Sequence, residues 1–184
     1  QRIIAPALLL LAYNNYTVVL AFCLIQRKKM FSRKTIALGF IFCLWGQTIF
    51  ANPKFTDLDD QVVEVKSPAI LNFWATWCAP CIKELPDLEK LGQNLEPKAI
   101  VYLVNFGEST ETIRSFKAKK PKLFGTHTVM IKDSSMSGLK AFGLRGVPTT
   151  VLIDSTGKTV EKIQGMKDWG SEKITAEIKA KIFP

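Results

Sequence analysis

The feature that most constrains this chain is a pair of cysteines two residues apart, Cys78-Ala79-Pro80-Cys81, placed where the hydrophobic pattern changes period. Upstream, Ala69 to Trp74 is an apolar run with the length of a buried strand. Downstream, from Ala79 to about Leu95, Ile82, Leu85, Leu88, Leu91 and Leu95 recur at helical spacing, with Lys83, Asp87, Glu89 and Lys90 elsewhere. Cys78 therefore sits where a helix begins, facing unpaired backbone N–H groups and the positive end of the helix dipole. Both favour the thiolate, which is the attacking species. Cys81 lies one turn on, near enough to close a disulfide. Attack by Cys78 on a substrate disulfide gives a mixed disulfide, and Cys81 resolves it. Pro80 falls in the first turn, where its missing N–H costs nothing.

Other uses of such a pair fit less well. Half a zinc site would need two more ligands, and beyond residue 51 there is no third cysteine and one histidine, His127. A lone histidine near a strand is usually structural or exposed, so His127 is given no metal role. A static disulfide across three residues staples almost nothing, because loop-closure stabilisation grows with loop length. Inert burial does not account for the aromatic residues before the pair or the proline within it.

The rest of the pattern places this junction in a layered fold. Val62 to Val65 reads as a short strand, Ala99 to Phe106 as a second buried strand, and Ser109 to Lys119 as a helix with Ser109 as N-cap. Thr128 to Ile131 reads as a short strand and Ser135 to Phe142 as a short helix ended by Gly143. Thr149 to Ile153 and Thr159 to Gln164 flank Asp154-Ser155-Thr156-Gly157, a hairpin turn by composition, and Ser171 to Ile182 closes as an amphipathic helix. Pro86, inside the first helix, should kink it. Helices between strands predict an α/β sheet with parallel pairs, and the late hairpin makes the sheet mixed.

The first 51 residues read differently. Hydrophobic content is 47% over the chain, and the excess is concentrated here. From Met30 the order is a short basic region, an apolar stretch from Thr35 to Phe50, and Ala51, the pattern of a secretory signal over 30–51. Ile49 is larger than the small residue preferred two positions before cleavage, so an uncleaved anchor stays open. Ile3 to Ile25 is either a first transmembrane helix or lies upstream of a true start at Met30, and the completeness of the signal from Met30 favours the latter. In both cases the basic cluster from Arg27 to Lys34 stays cytoplasmic and the remainder is exported. Cys23 and Cys43 show no lipid-attachment pattern.

Charge excludes one class of partner. The net charge is +9, but six of the 25 basic residues lie in the first 51 and no acidic residue precedes Asp57, leaving 19 basic against 16 acidic groups in the remainder. That balance is too mild for a nucleic-acid surface. The run Lys117, Lys119, Lys120 and Lys122 reads as a solvated helix end rather than an anionic docking site.

The segment Leu71-Asn72-Phe73-Trp74-Ala75-Thr76-Trp77-Cys78-Ala79-Pro80-Cys81, with Glu84 and Pro86, resembles the thioredoxin-like TlpA/ResA group of bacterial thiol–disulfide oxidoreductases. Gly146-Val147-Pro148-Thr149-Thr150, followed by Val151 to Asp154 and Gly157, matches the group as well, and the resemblance covers residues 55 to 184. It implies a thioredoxin-like fold and particular roles. Pro148 matches the cis-proline facing the active-site disulfide, where the backbone of Val147 would pair with an extended substrate segment. Glu84 takes the position of the active-site carboxylate that exchanges a proton with Cys81, the alternative being an ordinary solvated helix residue. Trp77 and Trp74 match aromatic positions near the disulfide, and Trp77 and Pro80 belong with Val147 and Pro148 to the expected substrate-binding surface.

Departures sharpen the expectation. Asn72 stands where cytosolic thioredoxins usually carry Asp. Ala79-Pro80 lacks the His of strongly oxidising DsbA-type sites, which points to a more reducing couple. The region around Pro148 lacks the acidic residue often seen in the CcmG or DsbE proteins of cytochrome maturation. The expectation is a thioredoxin-like domain over 52–184 acting as a periplasmic disulfide reductase, with no cofactor beyond the Cys78–Cys81 disulfide and no metal. The resemblance implies exported thiol proteins as substrates, such as apocytochrome c or copper-delivery proteins, and a membrane electron donor of the DsbD or CcdA kind. An oxidase or isomerase, or a membrane-tethered assembly factor with a dispensable redox pair, are the alternatives.

Overall fold

The structure is a computed structural model that describes residues 53–183. The targeting segment expected over residues 1–51 lies outside them. Seven strands form one sheet: β1 (Phe55–Thr56), β2 (Val62–Val63), β3 (Ala69–Trp74), β4 (Ile100–Phe106), β5 (Thr128–Asp133), β6 (Thr149–Ile153) and β7 (Thr159–Gln164). Their order is β2-β1-β5-β4-β3-β6-β7. β3, β4 and β5 are parallel, while β6, β7, β1 and β2 run antiparallel to their neighbours, so the sheet is mixed as its pattern predicts. β1 is the strand the sequence does not reveal, because two residues carry no periodicity.

Every residue of β3 is buried, as a strand covered on both faces requires. Ile70, Asn72 and Trp74 point to one layer and Ala69, Leu71 and Phe73 to the other. Four α-helices supply the layers: α1 (Ala79–Leu95), α2 (Thr110–Lys119), α3 (Ser137–Phe142) and α4 (Glu172–Ile182), with a 3-10 turn at Pro121–Leu123. The first core gathers Ile70 and Trp74 with Leu85, Leu88, Leu91 and Leu95 of α1 and Ile178 and Ile182 of α4. The second gathers Leu71 and Phe73 with Phe55, Tyr102, Val104 and Val151. Each fully buried leucine of α1 contributes roughly 2 kcal/mol of apolar transfer.

Two helix ends form as the sequence indicates, Ser109 and Gly143, and Ser171 is a cap that the sequence reading did not name. Ser109 Oγ accepts from Thr112 N–H, Ser171 Oγ accepts from Ile174 N–H, and Gly143 ends α3 with φ of 61°. The α1 stripe differs in one particular. Ile82 is only half-buried, whereas Glu84 is buried among the leucines. α1 also runs through Pro86 as one continuous helix, with the proline on its exposed side. At Gly92 the helix backbone approaches the start of β5 so closely that a Cβ would stand 2.1 Å from the His127 carbonyl oxygen.

Candidate active site

The strand-to-helix junction is built from its own backbone. After β3 the chain turns through Ala75-Thr76-Trp77, with Cys78 N–H donating to the Ala75 carbonyl at 3.1 Å. Cys78 is the N-cap of α1, and its sulfur accepts from Cys81 N–H at 3.3 Å. Cys78 and Cys81 form a disulfide across a Cα–Cα distance of 5.3 Å. The two cysteines differ slightly in burial: Cys78 retains 4% of its surface and Cys81 none. Trp77, 67% exposed, stands beside the pair, and Ala79 and Pro80 are exposed on its other side.

Val147–Pro148 is a cis peptide. Phe73 of β3 pairs with Thr149 of β6, so this peptide lies level with the end of β3 from which the cysteine turn departs. Pro148 is buried, its carbonyl accepts from Gly165 N–H at 2.9 Å, and Thr149 Oγ1 donates to the Gly146 carbonyl at 2.7 Å. Val147 is half-buried and packs against both cores.

Glu84 is 2% exposed, so it is not a solvated helix residue. Asn72 Nδ2 donates to Glu84 Oε1 at 2.8 Å and Trp169 Nε1 donates to Glu84 Oε2 at 2.9 Å. Asn72 Nδ2 also reaches Thr150 Oγ1 at 3.0 Å. Burial pushes the Glu84 carboxyl above the usual glutamate range, and the nearby Asp87 charge adds to this. The hydrogen bonds from Trp169, Asn72 and the Lys167 backbone oppose it without cancelling it. The result is a carboxyl one helical turn from Cys81 that holds its proton more tightly than a solvated glutamate. Asn72 takes on a new meaning here. The amide on β3 is bonded to a carboxyl that comes from α1.

A second carboxylate braces the turn from the outside. Glu108, just beyond β4, accepts from Thr76 N–H at 2.8 Å and from the Thr76 hydroxyl, and Asn105 Nδ2 donates to it at 2.7 Å. The residue two before Cys78 is thereby tied to the neighbouring parallel strand. Trp74 packs against Phe116 and Phe124 with ring centroids 5.9 and 5.8 Å away, which makes it core. His127 is engaged elsewhere, with Nδ1 2.9 Å from Glu96 Oε2. Lys117, Lys119, Lys120 and Lys122 are exposed, with Lys117 over the Phe124 ring and Lys120 over the Phe116 ring.

Sequence reasoning named Cys78, Cys81, Glu84, Trp77, Pro80, Val147 and Pro148 as candidates. It did not name Trp169 or Glu108, which the structure brings to Glu84 and Thr76. Neither is near the cysteines in the sequence, and only Trp169 carried a weak signal, as a large aromatic in an otherwise polar loop.

A strand-turn-helix carrying a Cys-X-X-Cys disulfide, level with a cis-proline on a mixed sheet, defines the thioredoxin-like class. The chain belongs to the AhpC/TSA family, which matches residues 51–162, and within that class to the ResA-type thiol–disulfide oxidoreductases. It is 33% identical over 162 residues to the thiol–disulfide oxidoreductase ResA of Bacillus subtilis, covering 76% of this chain and 87% of that one. It is 32% identical over 110 residues to ResA of Halalkalibacterium halodurans, covering 57% of this chain and 60% of that one. Among solved structures it resembles a protein described as a putative thiol:disulfide interchange protein DsbE from Chlorobium tepidum. There the TM-score is 0.60 at 25% identity, over 71% of this chain and 94% of that one. It also resembles the exposed lipoprotein thioredoxin Etrx1 of Streptococcus pneumoniae, with TM-score 0.54 at 26% identity, over 67% of this chain and 97% of that one.

Proposed function

We propose that this protein is an exported disulfide reductase in which Cys78 is the nucleophile, Cys81 the resolving thiol and Glu84 the group that takes the Cys81 proton. The observation that carries the reading is the asymmetry of the pair. Cys78 keeps 4% of its surface between exposed Trp77 and exposed Pro80, while Cys81 keeps none and lies one helical turn before a buried carboxyl.

In the dithiol form the Cys78 thiolate attacks one sulfur of a substrate disulfide. A Cys78–substrate S–S bond forms, the substrate S–S bond breaks, and the departing substrate thiolate takes a proton. The Cys81 thiol then gives its proton to ionised Glu84, and its thiolate attacks the Cys78 sulfur. The Cys78–Cys81 bond forms as the second substrate thiolate leaves. The substrate gains two electrons and the protein becomes the disulfide. Return to the dithiol needs a two-electron thiol donor, proposed as a membrane protein of the DsbD or CcdA kind. Trp77, Pro80, Val147 and Pro148 form the substrate surface, with the Val147 backbone adding an extended segment as a strand. Proposed substrates are exported thiol proteins such as apocytochrome c or copper-delivery proteins.

No helix among the described residues is long and apolar enough to cross a membrane. Export is supported by the signal pattern before residue 52 and by likeness to a protein whose description calls it an exposed lipoprotein.

The test is the equilibrium reduction potential against a glutathione or dithiothreitol series. A value near roughly −270 mV supports a reductase, and one near roughly −120 mV makes the protein a disulfide donor and sinks the proposal. Direction aside, Cys81→Ser should trap mixed disulfides through Cys78, and Cys78→Ser should not.

A further inference from the structure

We propose that Trp169 is a positioning residue for the exchange reaction: its indole N–H holds the Glu84 carboxyl in the orientation from which it takes the Cys81 proton. This rests on the role proposed for Glu84 above.

The geometry is specific. The two carboxyl oxygens are held by donors from different elements, Asn72 of β3 on Oε1 and Trp169 of the β7–α4 loop on Oε2. A carboxyl fixed at both oxygens cannot rotate freely. On a helix the side chain of residue i+3 leans back over the preceding turn, which directs Glu84 toward Cys81. Cys81 is buried in the same core as Trp169, and Glu84 is buried and bonded to that indole.

The loop that delivers the indole is itself braced. Trp169 N–H donates to the Lys167 carbonyl at 3.0 Å and Ser171 N–H to the Asp168 carbonyl at 3.3 Å, immediately before Ser171 caps α4. At Gly170 the loop passes so close to α1 that a Cβ would lie 2.7 Å from Asp87 Oδ1. Trp169 is fully buried, so a shift of the indole relative to α1 would have to displace well-packed neighbours.

A buried indole usually finds a hydrogen-bond partner, although Trp74 Nε1 is buried without one among the described residues, so packing alone could account for the presence of Trp169. The two roles separate in one respect. A donor aimed at a carboxylate favours the ionised form, and an apolar ring of similar bulk does not. Asp87 on α1 acts on Glu84 through its charge, and Lys167 on the loop reaches it through its backbone. The Lys167 ammonium is directed to Glu177 of α4 at 3.5 Å. β3 and β6 present neutral Asn72 and Thr150. Loss of the indole N–H should therefore move Glu84 toward its protonated form and shift the reaction to higher pH.

The experiment uses the reduced full-length protein and 5,5′-dithiobis(2-nitrobenzoate) under stopped flow. Attack by Cys78 releases one thionitrobenzoate and leaves the other on its sulfur. Attack by Cys81 then forms the Cys78–Cys81 disulfide and releases the second. The pH profile of the second release is compared in wild type, Trp169→Phe, Glu84→Gln and the double variant. The expected result is an upward shift of the midpoint by about one pH unit in Trp169→Phe, a tenfold change in proton affinity, with no such shift when Glu84 is already Gln. A Trp169→Phe profile superimposable on wild type, while Glu84→Gln alters it, overturns the role of Trp169 and leaves that of Glu84 intact. A second release unchanged by Glu84→Gln overturns both. Should Trp169→Phe fail to fold, the indole 15N–1H resonance of Trp169 in the wild type decides. A resonance that titrates with a midpoint above the ordinary glutamate range supports the contact, and one indifferent to pH in that range removes it.

Discussion

Two carboxyl groups at opposite ends of the sheet have been driven in opposite directions by their surroundings. Glu84 is enclosed beside the disulfide and receives its donors from side chains of distant elements, Asn72 and Trp169. Asp154 lies in the hairpin turn between β6 and β7. Its Oδ1 accepts from the Thr156 hydroxyl at 2.6 Å, from Thr156 N–H at 2.8 Å and from Lys158 N–H at 3.0 Å. The proton affinity of Glu84 is raised because burial outweighs its hydrogen bonds. That of Asp154 is lowered because the Thr156 hydroxyl and the turn amides outweigh burial. Hydrogen bonding alone therefore does not mark a functional carboxyl. What sets Glu84 apart is a net preference for holding its proton one helical turn from Cys81, which the role proposed for it would use.

The largest effect should come from Glu84→Gln, which keeps an acceptor and the shape but cannot take a proton. Resolution by Cys81 should slow by about 10²-fold at neutral pH, read from the lifetime of the mixed disulfide. If the lifetime is unchanged, the contrast with Asp154 has no functional content.

Next in size is Asn72→Asp, which sets a second carboxyl against the first. Two acids 2.8 Å apart cannot both ionise readily, so the pair should titrate in two separated steps and the upper step should move well above that of Glu84 alone. Carboxyl titration by NMR or infrared difference spectroscopy checks this. A single unshifted step would show that the site is wetter than its burial indicates.

The Glu84 shift also has a consequence for stability. The folded state binds this proton more tightly than the unfolded state. The contribution is fully present below the ordinary glutamate range and is lost as pH rises through the raised folded value. Denaturant midpoints of wild type should decline over that interval, and those of Glu84→Gln should not. Glu108→Gln should matter less. Weakening its bonds to the Thr76 backbone and hydroxyl should lower stability by about 1–2 kcal/mol and slow the Cys78 attack only a few-fold, because the turn loosens but keeps its cysteines.

The smallest effect belongs to Asp154→Asn. Its lowered proton affinity means that its contribution is present above the ordinary aspartate range and is lost as pH falls through the folded value. The variant should show a slightly lower midpoint at neutral pH, a weaker acid dependence, and unaltered exchange kinetics. A change in exchange rate would mean that the β6–β7 turn and the cysteine site are coupled, which would break the contrast between the two carboxyls.

The sequence by itself determined the elements and the reacting pair. β3, β6, β7 and α1 have the bounds their patterns predict, since a buried strand, a polar hairpin turn and a 3.6-residue stripe each leave a local mark. Cys78, Cys81 and Pro148 were legible because motif chemistry sits at fixed offsets from strand ends. Only the tertiary structure decided what surrounds the pair. Glu84 looked like a solvated residue or a family carboxylate until Asn72, twelve residues before it, and Trp169, eighty-five after it, were seen to close on its two oxygens. Glu108 reached Thr76 only through the parallel pairing of β3 and β4. Proton affinity depends on burial and on donors from elements far apart in the chain. No local window of sequence carries that information.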